Sequence, residues 1–213
     1  LILNPDLICL EGYFEKIQKY LNDNVNFNII GSQYQEGKMN KPAYGLFNYK
    51  GYNPKISVDK YNLQSVDWVV GCSMLIDLDK FSNKNIFDEN FFLFYEETDL
   101  CRNVKSNGGN IFSSKDLIID HFGEKGSFAI VPDNKYSYLK LRNWHLMWSS
   151  FYYYKKNYSY NYAFKLLIGQ LIKSFIKFIF FGLLLNKHNY TKHLFRFLGL
   201  TNSMLGKKSW FRV

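Results

Sequence analysis

Residues 87–102 read FDENFFLFYEETDLCR, and the chemistry of the chain centres on this stretch. An aromatic and aliphatic run at 91–95 is followed at once by three acidic residues, Glu96, Glu97 and Asp99. An apolar segment that delivers carboxylates to its own end is one way for a core to hold a general acid or base at a cleft. Acids are also favoured in the first turn of a helix, by roughly 0.3–1 kcal/mol each. The stretch alone leaves both interpretations open.

Strands are predicted on the amino-terminal side of this stretch. The apolar residues 1–3 predict the end of a buried strand, and Asn4-Pro5-Asp6 predicts the turn that leaves it. Asp6 then either lies where open α/β sheets bind ligands or belongs to an ordinary turn. Residues 66–78, VDWVVGCSMLIDL, predict a central strand that is broken around Gly71. A glycine there indicates a bulge or a close backbone approach.

Further elements follow from periodicity and glycine positions. We expect an amphipathic helix at 11–22 with Phe14, Ile17 and Leu21 on its apolar face. A strand at 27–31, an irregular stretch at 32–64 and a short helix at 79–84 follow it. Beyond them we expect a helix from Glu96 to a glycine stop at 108–109, and strands at 111–112 and 117–122. His121 is either a hydrogen-bonded core residue or a ligand. Trp68 is either core or a stacking platform for a sugar or base.

Charge separates the chain into two regions. Residues 1–134 contain 13 Lys/Arg and 18 Asp/Glu, whereas residues 135–213 contain 14 Lys/Arg and no acid. Such a basic region suggests an anionic partner, either a nucleic acid or a membrane surface. The positive charge lies among long apolar runs, which favours lipid over nucleic acid.

The basic region predicts helices at 136–156, 162–185 and 190–198. Lysines interrupt the apolar run of the middle helix, so we expect no simple transmembrane span. Lys165, Lys173 and Lys177 recur at multiples of four residues, which favours a basic amphipathic helix in the membrane interface. A helix packed on the preceding region is the alternative.

Cysteine usage and the first residues bear on the cell compartment. Cys9, Cys72 and Cys101 form no CxxC pair, so neither a disulfide framework nor a zinc site is predicted, and a reducing cytosol fits best. No secretory signal opens the chain. Its first residues are apolar, which suggests that the sequence begins within a longer protein.

Four motifs in order resemble bacterial family-2 glycosyltransferases of the rhamnosyltransferase-like group, which have a GT-A fold. The motifs are Leu3-Asn4-Pro5-Asp6 at a strand end, 66–71 as VDWVVG, 87–100 as FDENFFLFYEETDL, and His121 with Gly123 and Ser127. The resemblance covers nearly all of the chain. It implies an α/β, Rossmann-like partial GT-A mixed sheet in 1–134, followed by a basic helical, membrane-associating region in 135–213.

The resemblance also implies roles for residues. Glu97 falls where the family has a catalytic Asp, with Glu96 or Asp99 as alternative bases, and Asp6 and His121 fall on ligands of Mg²⁺ or Mn²⁺. The remaining matched positions imply contacts with substrate: Asp67, Trp68, Gly71, Cys72 and Ser127. Two differences are a longer side chain at Glu97 and Asn4 in place of an acid.

The implied reaction is an inverting transfer from a nucleotide-diphosphate sugar to a hydroxyl of a glycan or lipid-linked acceptor, in surface polysaccharide synthesis. The expected location is the cytoplasmic, inner face of the cell membrane, with anionic lipids as a further partner. Nothing in the sequence resembles the first βαβ units that hold the nucleotide base and ribose, so we expect a fragment of a longer transferase. A catalytically silent, membrane-associated remnant or interaction module is the alternative.

Overall fold

The computed structural model describes residues 1–36, 39–41, 43–47, 60–82, 85–121 and 135–213. These residues form nine β-strands and five α-helices with a mixed sheet, which confirms the predicted α/β class. The chain divides into two compact units. The sheet unit consists of the described residues up to 87 and of 97–121, and the helical unit consists of 88–96 and 135–213. The predicted boundary at 134 lies outside the described residues, and 88–96 pack with the helices that follow it.

The sheet unit is built on a seven-stranded mixed sheet. Its strands, with those of a separate two-stranded sheet, are β1 (Ile2–Leu3), β2 (Leu7–Cys9), β3 (Ile29–Glu36), β4 (Met39–Lys41), β5 (Tyr44–Gly45), β6 (Leu63–Ser65), β7 (Trp68–Val69), β8 (Ser73–Ile76) and β9 (Ile111–His121). The main order is β1-β8-β3-β9-β2, with β4 beside β3 and β6 beside β9. Strands β3 and β9 are parallel, and the other described pairs are antiparallel.

Helices α1 (Tyr13–Asn22) and α2 (Glu96–Ser106) pack against apolar residues on opposite faces of the sheet. Neighbouring residues of β3 show the division, because Ile30 belongs to the apolar cluster of α1 and Ile29 to that of α2. Successive strand side chains point to opposite faces, so both faces of β3 are buried. The predicted glycine stop of α2 is confirmed, since Gly108 has φ 75° just beyond the helix.

Helix α1 was predicted correctly, but of its predicted apolar face only Ile17 is buried. Phe14 and Leu21 are 58% and 54% exposed, whereas Tyr13 and Tyr20 are buried. The Tyr13 hydroxyl oxygen lies 2.6 Å from the hydroxyl oxygen of Ser73. A tyrosine ring can be buried in this way without leaving its hydroxyl unpaired, which apolar periodicity does not reveal.

The strand predicted at 1–3 is present as β1, but the prediction that it is buried was wrong. Among the described strands β1 pairs only with β8, and Ile2 and Leu3 are each 36% exposed. Apolar composition alone does not distinguish an edge strand from a central one.

Two strands predicted at 111–112 and 117–122 form the single strand β9. It pairs with β3 through residues 111–113 and again through 118–120. Between the two stretches, the Ser114 hydroxyl accepts hydrogen bonds from the backbone N–H groups of Asp116 (3.1 Å) and Leu117 (3.0 Å). This local turn interrupts the alternation of side chains, so the pattern is that of two strands.

Two further predictions fall partly outside the described residues. The stretch 32–64, predicted as irregular, contains the end of β3, the paired strand β4, β5 and the start of β6. The helix predicted at 79–84 is a short 3₁₀ turn at Leu78–Lys80.

The three carboxy-terminal helices are confirmed as α3 (Lys135–Asn157), α4 (Tyr160–Leu183) and α5 (Lys187–Met204). Helices α3 and α5 approach closely, because Gly199 has no room for a Cβ against the backbone carbonyl of Trp144. In the same contact, Arg196 Nε donates to Asn143 Oδ1 over 2.9 Å. A small residue at the crossing therefore allows the two helices to pack at short range.

Helix α4 is largely exposed within the helical unit. Its exposed apolar side chains include Phe164, Ile172, Phe175, Ile176, Ile179, Phe180 and Leu183. By length and composition only, it is long and apolar enough to cross a membrane. Only 6% of its most apolar stretch of 18 residues is buried. The expectation of no simple transmembrane span is contradicted on that criterion, which α4 meets although it contains lysines.

Residues 88–95, here called the aromatic loop, pack against α3. The Ser149 hydroxyl donates to the Leu93 carbonyl over 2.8 Å, and the Tyr95 ring centroid lies 5.1 Å from that of Tyr153. These contacts hold the chain just before α2 begins.

The last two residues of the aromatic loop have left-handed backbone. Phe94 has φ 68° and Tyr95 has φ 71°, although neither is glycine. Bulky residues rarely adopt this region, and each costs on the order of 1–3 kcal/mol. Contacts with α3 must compensate this strain, and such strain is often found beside functional residues.

Asp88 anchors the other end of the aromatic loop. Its Oδ2 accepts from Lys156 Nζ over 2.7 Å and from the Tyr152 hydroxyl over 3.0 Å. Burial alone raises the pKa of this carboxyl, but hydrogen bonds from Lys156 and Asn90 outweigh it and lower the pKa to about 2.

We predict that Asp88→Asn lowers the free energy of unfolding by about 2 kcal/mol at pH 7. The native pKa lies below the unfolded value, so this contribution is present above about pH 4 and is lost as pH falls through about 2. Urea denaturation followed by tryptophan fluorescence measures the difference.

The matched control is Asp79→Asn, an exposed acid of the sheet unit, which should change stability by less than about 0.5 kcal/mol. Equal effects of the two substitutions at pH 7 would contradict a stabilising role of the Asp88 contacts.

Candidate active site

The turn that carries Asp6 is fixed between two strands of the sheet unit. The Asn4 N–H donates to the Cys72 carbonyl over 2.9 Å, and Leu7 pairs with His121 at the end of β9. Asp6 therefore lies between the start of β8 and the end of β9, as the sequence predicts for a strand-end acid. The side chain of His121 lies outside the described part of the structure.

Glu97 approaches the break between β7 and β8. A Cβ placed on Gly71 would lie 3.3 Å from Glu97 Cβ and 3.4 Å from its Cγ. The predicted close approach at Gly71 is thus made by the first turn of α2. Helix N-termini favour negative charge, so this position suits the Glu97 carboxylate.

Cys72 connects the two acids. Burial raises the pKa of its thiol to about 11, and the negative charges of Asp6 and Glu97 contribute in the same direction. Both carboxylates are therefore within electrostatic range of one thiol. The structure brings together Asp6, Gly71, Cys72 and Glu97, four of the predicted site residues, in one region of the sheet unit.

The two alternative bases have different environments. Asp99 is 6% exposed, on the buried side of α2. Glu96 belongs to the helical unit, its Oε2 has no hydrogen-bond partner among the described residues, and burial raises the pKa of its carboxyl. The three heavy atoms nearest to a Cβ placed on Gly71 all belong to Glu97.

Two of the remaining predicted substrate contacts, Asp67 and Trp68, have close contacts of their own. Asp67 is 2% exposed, and its carboxylate accepts from the Phe47 N–H over 2.8 Å and lies 3.7 Å from Lys105 Nζ. The Trp68 indole packs so closely on Gly45 that a Cβ there would lie 2.5 Å from the ring. Ser127 lies outside the described residues, and the binding roles of all three stay predictions.

Asp6 is the described side chain that fits a divalent cation. No group of three or more His, Cys, Asp or Glu side chains able to hold a metal occurs among the described residues. Mg²⁺ commonly binds through one or two carboxylates and completes its coordination with substrate phosphates and water. A single strand-end carboxylate is compatible with that mode of binding.

One group of charged side chains in the helical unit was not predicted as a site. Its members act electrostatically on His193 of α5 and include Lys173 and Lys177 of α4. The spacing of the two lysines was the available signal, but it does not show that they face a histidine on another helix.

Comparisons with known proteins give one partial match. No family model and no solved structure matches the chain. Over 117 residues it is 28% identical to the low-salt glycan biosynthesis hexosyltransferase Agl10 of Haloferax volcanii, which covers 52% of this chain and 38% of the relative. The chain thus spans well under half the length of that protein. The match supports a glycosyltransferase-like relationship.

We predict that Asp6→Asn and Glu97→Gln each speed alkylation of Cys72 relative to Cys9 by about two- to fivefold at pH 8. Each substitution removes a negative charge that raises the pKa of the Cys72 thiol, whereas Cys9 responds to burial alone. Mass spectrometry after timed iodoacetamide treatment gives the ratio.

Asp23→Asn, an exposed substitution at the end of α1, should leave this ratio unchanged. If Asp6→Asn behaves like Asp23→Asn, the placement of Asp6 near Cys72 is wrong.

Proposed function

We propose that this chain is part of an inverting, family-2-type glycosyltransferase with a GT-A fold. It would transfer a sugar from a nucleotide-diphosphate donor to a hydroxyl of a glycan or lipid-linked acceptor in surface polysaccharide synthesis. The observation that carries the proposal is the convergence of Asp6 and Glu97 on the start of β8. The partial likeness to a hexosyltransferase supports the same class of reaction.

Glu97 is the proposed general base. It is partly exposed, lies in the first turn of α2 and packs against the backbone at Gly71. From there its carboxylate would take the proton of the acceptor hydroxyl as that oxygen forms the new bond to the sugar. The donor loses its nucleotide diphosphate from the opposite face of the sugar, which inverts the configuration at the reacting carbon.

The Cys72 thiol does not serve as a nucleophile in this scheme. With a pKa of about 11 and little exposure, it stays protonated at neutral pH. The proposed transfer therefore does not use the Cys72 thiol as a nucleophile.

Asp6 is the proposed protein ligand for Mg²⁺ or Mn²⁺, with His121 as a second ligand. A bound divalent cation would supply positive charge to the departing diphosphate. Asp6 would hold the diphosphate end of the donor on the β8 side of the site, leaving the Glu97 side for the acceptor.

The helical unit is proposed to dock on the anionic, cytoplasmic face of the cell membrane. Helix α4 exposes a row of apolar side chains, and 135–213 carry 14 Lys/Arg and no acid. An apolar face with lysines beside it is typical of helices that lie in the membrane interface. Docking there would bring the chain to the membrane in which a lipid-linked acceptor lies.

Glu97→Gln in the longest available form of the protein should reduce sugar transfer by about 10²–10⁴-fold. Glutamine keeps the size of the side chain but cannot take a proton. Transfer is measured with a panel of radiolabelled nucleotide-diphosphate sugars and membrane extracts as acceptors, after a native rate is established.

The controls are Glu96→Gln, Asp99→Asn and the exposed Glu15→Gln. A larger loss from Glu96→Gln or Asp99→Asn than from Glu97→Gln would move the base to that residue. If calorimetry shows no binding of any nucleotide sugar to the native chain, the proposed enzyme function is replaced by the alternative, a catalytically silent, membrane-associated module.

Combined Ile172→Ser and Ile179→Ser should weaken binding to anionic vesicles by at least about tenfold, because burying each isoleucine in the interface contributes roughly 1.5–3 kcal/mol. Both side chains are exposed, so thermal stability should change little. Vesicle flotation measures binding, and Ile8→Ser, exposed on β2 of the sheet unit, is the control. Unchanged flotation of the α4 variant would rule out this docking face.

A further inference from the structure

His193 of α5 is buried and incompletely satisfied. It is 7% exposed, and its ring stacks on Phe181 of α4 with centroids 5.8 Å apart and an interplanar angle of 9°. Its Nδ1 has no hydrogen-bond partner among the described residues. Buried polar atoms in native proteins are usually paired, so an unpaired imidazole nitrogen suggests that something else completes the site.

Four cations on two helices act electrostatically on this histidine. Burial lowers the pKa of His193 to about 4, and the charges of Lys177, Arg196, Lys192 and Lys173 act in the same direction. Lys177 lies one helical turn before Phe181, and Lys173 lies one turn further back, so all three share a face of α4. The imidazole is therefore neutral, and the charge around it belongs to the four side chains.

Helices α3, α4 and α5 contain no acid that could balance these charges. Residues 135–213 contain no Asp or Glu, and Asp88, an acid of the aromatic loop, is bound to Lys156. Like charges on neighbouring helices repel each other unless an anion lies between them. Four such groups around a neutral imidazole can serve an anion that has several acceptor oxygens.

An apolar cavity adjoins the same group. It has a volume of about 290 Å³, and its lining residues are Phe181, Gly182, Leu185, Asn186, Lys187 and Tyr190. Phe181 also stacks on His193, and Tyr190 precedes His193 by one turn of α5. The charged group and the apolar cavity are therefore contiguous, which suits a ligand with an anionic head and a hydrocarbon tail.

We propose that Lys173, Lys177, Lys192 and Arg196, grouped around His193, bind the phosphate group of a membrane lipid, with the adjoining cavity taking part of its hydrocarbon chain. A phosphate monoester offers three acceptor oxygens for these donors. The choice of a lipid over a soluble phosphate rests on the proposed membrane docking, because the outward face of α4 is apolar along its length.

The test is an NMR titration of the native chain, observing the assigned imidazole signals of His193. The probes are short-chain phosphatidic acid below its micelle concentration, short-chain phosphatidylcholine and inorganic phosphate. We expect saturable shifts with phosphatidic acid, and binding at least about tenfold weaker for the other two probes.

Matched double variants separate a specific site from general attraction. Lys177→Gln with Lys192→Gln should raise the dissociation constant for phosphatidic acid by at least about tenfold. Lys207→Gln with Lys208→Gln removes the same charge from exposed residues of the helical unit and should change it by less than about threefold. Melting temperatures of both variants report whether the fold is kept.

Each contrary result overturns a defined part of the proposal. The specific site is overturned if both double variants weaken phosphatidic acid binding equally. It is also overturned if no probe shifts the His193 signals. If inorganic phosphate binds with the same affinity as phosphatidic acid, the ligand is not a lipid. The titration uses neither vesicles nor a sugar donor, so its failure is distinguishable from failure of membrane docking by α4 or of catalysis by Glu97.

Discussion

The Asp88 carboxylate, bound by Lys156 and Tyr152, is the contact on which the helical unit most depends. The described acids of that unit all lie in 88–96, because α3, α4 and α5 have none. The aromatic loop is therefore both the hydrophobic cover and the source of negative charge for three basic helices. Its left-handed residues Phe94 and Tyr95 are tolerable because hydrogen bonds and ring contacts with α3 fix the loop on both sides of them.

In the sheet unit the corresponding constraint is the break between β7 and β8. Gly71 lets the first turn of α2 approach the backbone, and the next residue, Cys72, accepts a hydrogen bond from the turn that holds Asp6. One short segment thus fixes the positions of two acids that are far apart in sequence. A side chain at Gly71 would push Glu97 away, which explains why the smallest residue occupies that point.

Elements with strong local patterns were predictable, and features set by long-range packing were not. The helices α3 to α5 follow from apolar periodicity without acids, and Gly108 marks the end of α2. The exposure of β1 depends on its place in the strand order, and the buried face of α1 depends on hydroxyl partners distant in sequence. Asp6 and Glu97 could be selected as candidates from the sequence, but their convergence on Cys72 required the fold. The sequence did not single out His193, because Phe181, Lys173 and Lys177 come from another helix.

The discontinuity of the helical unit has a consequence for how the chain is made. The ribosome synthesises the aromatic loop before any of the helices that hold it. This strained, apolar segment therefore has no surface to pack against until α3 has been made. A recombinant product that starts at α3 would contain the helices but neither the loop nor any acid. A product truncated at the apparent boundary would therefore be a highly cationic set of helices that lacks the aromatic loop. A truncated form meant to keep the helices folded has to retain residues 88–96.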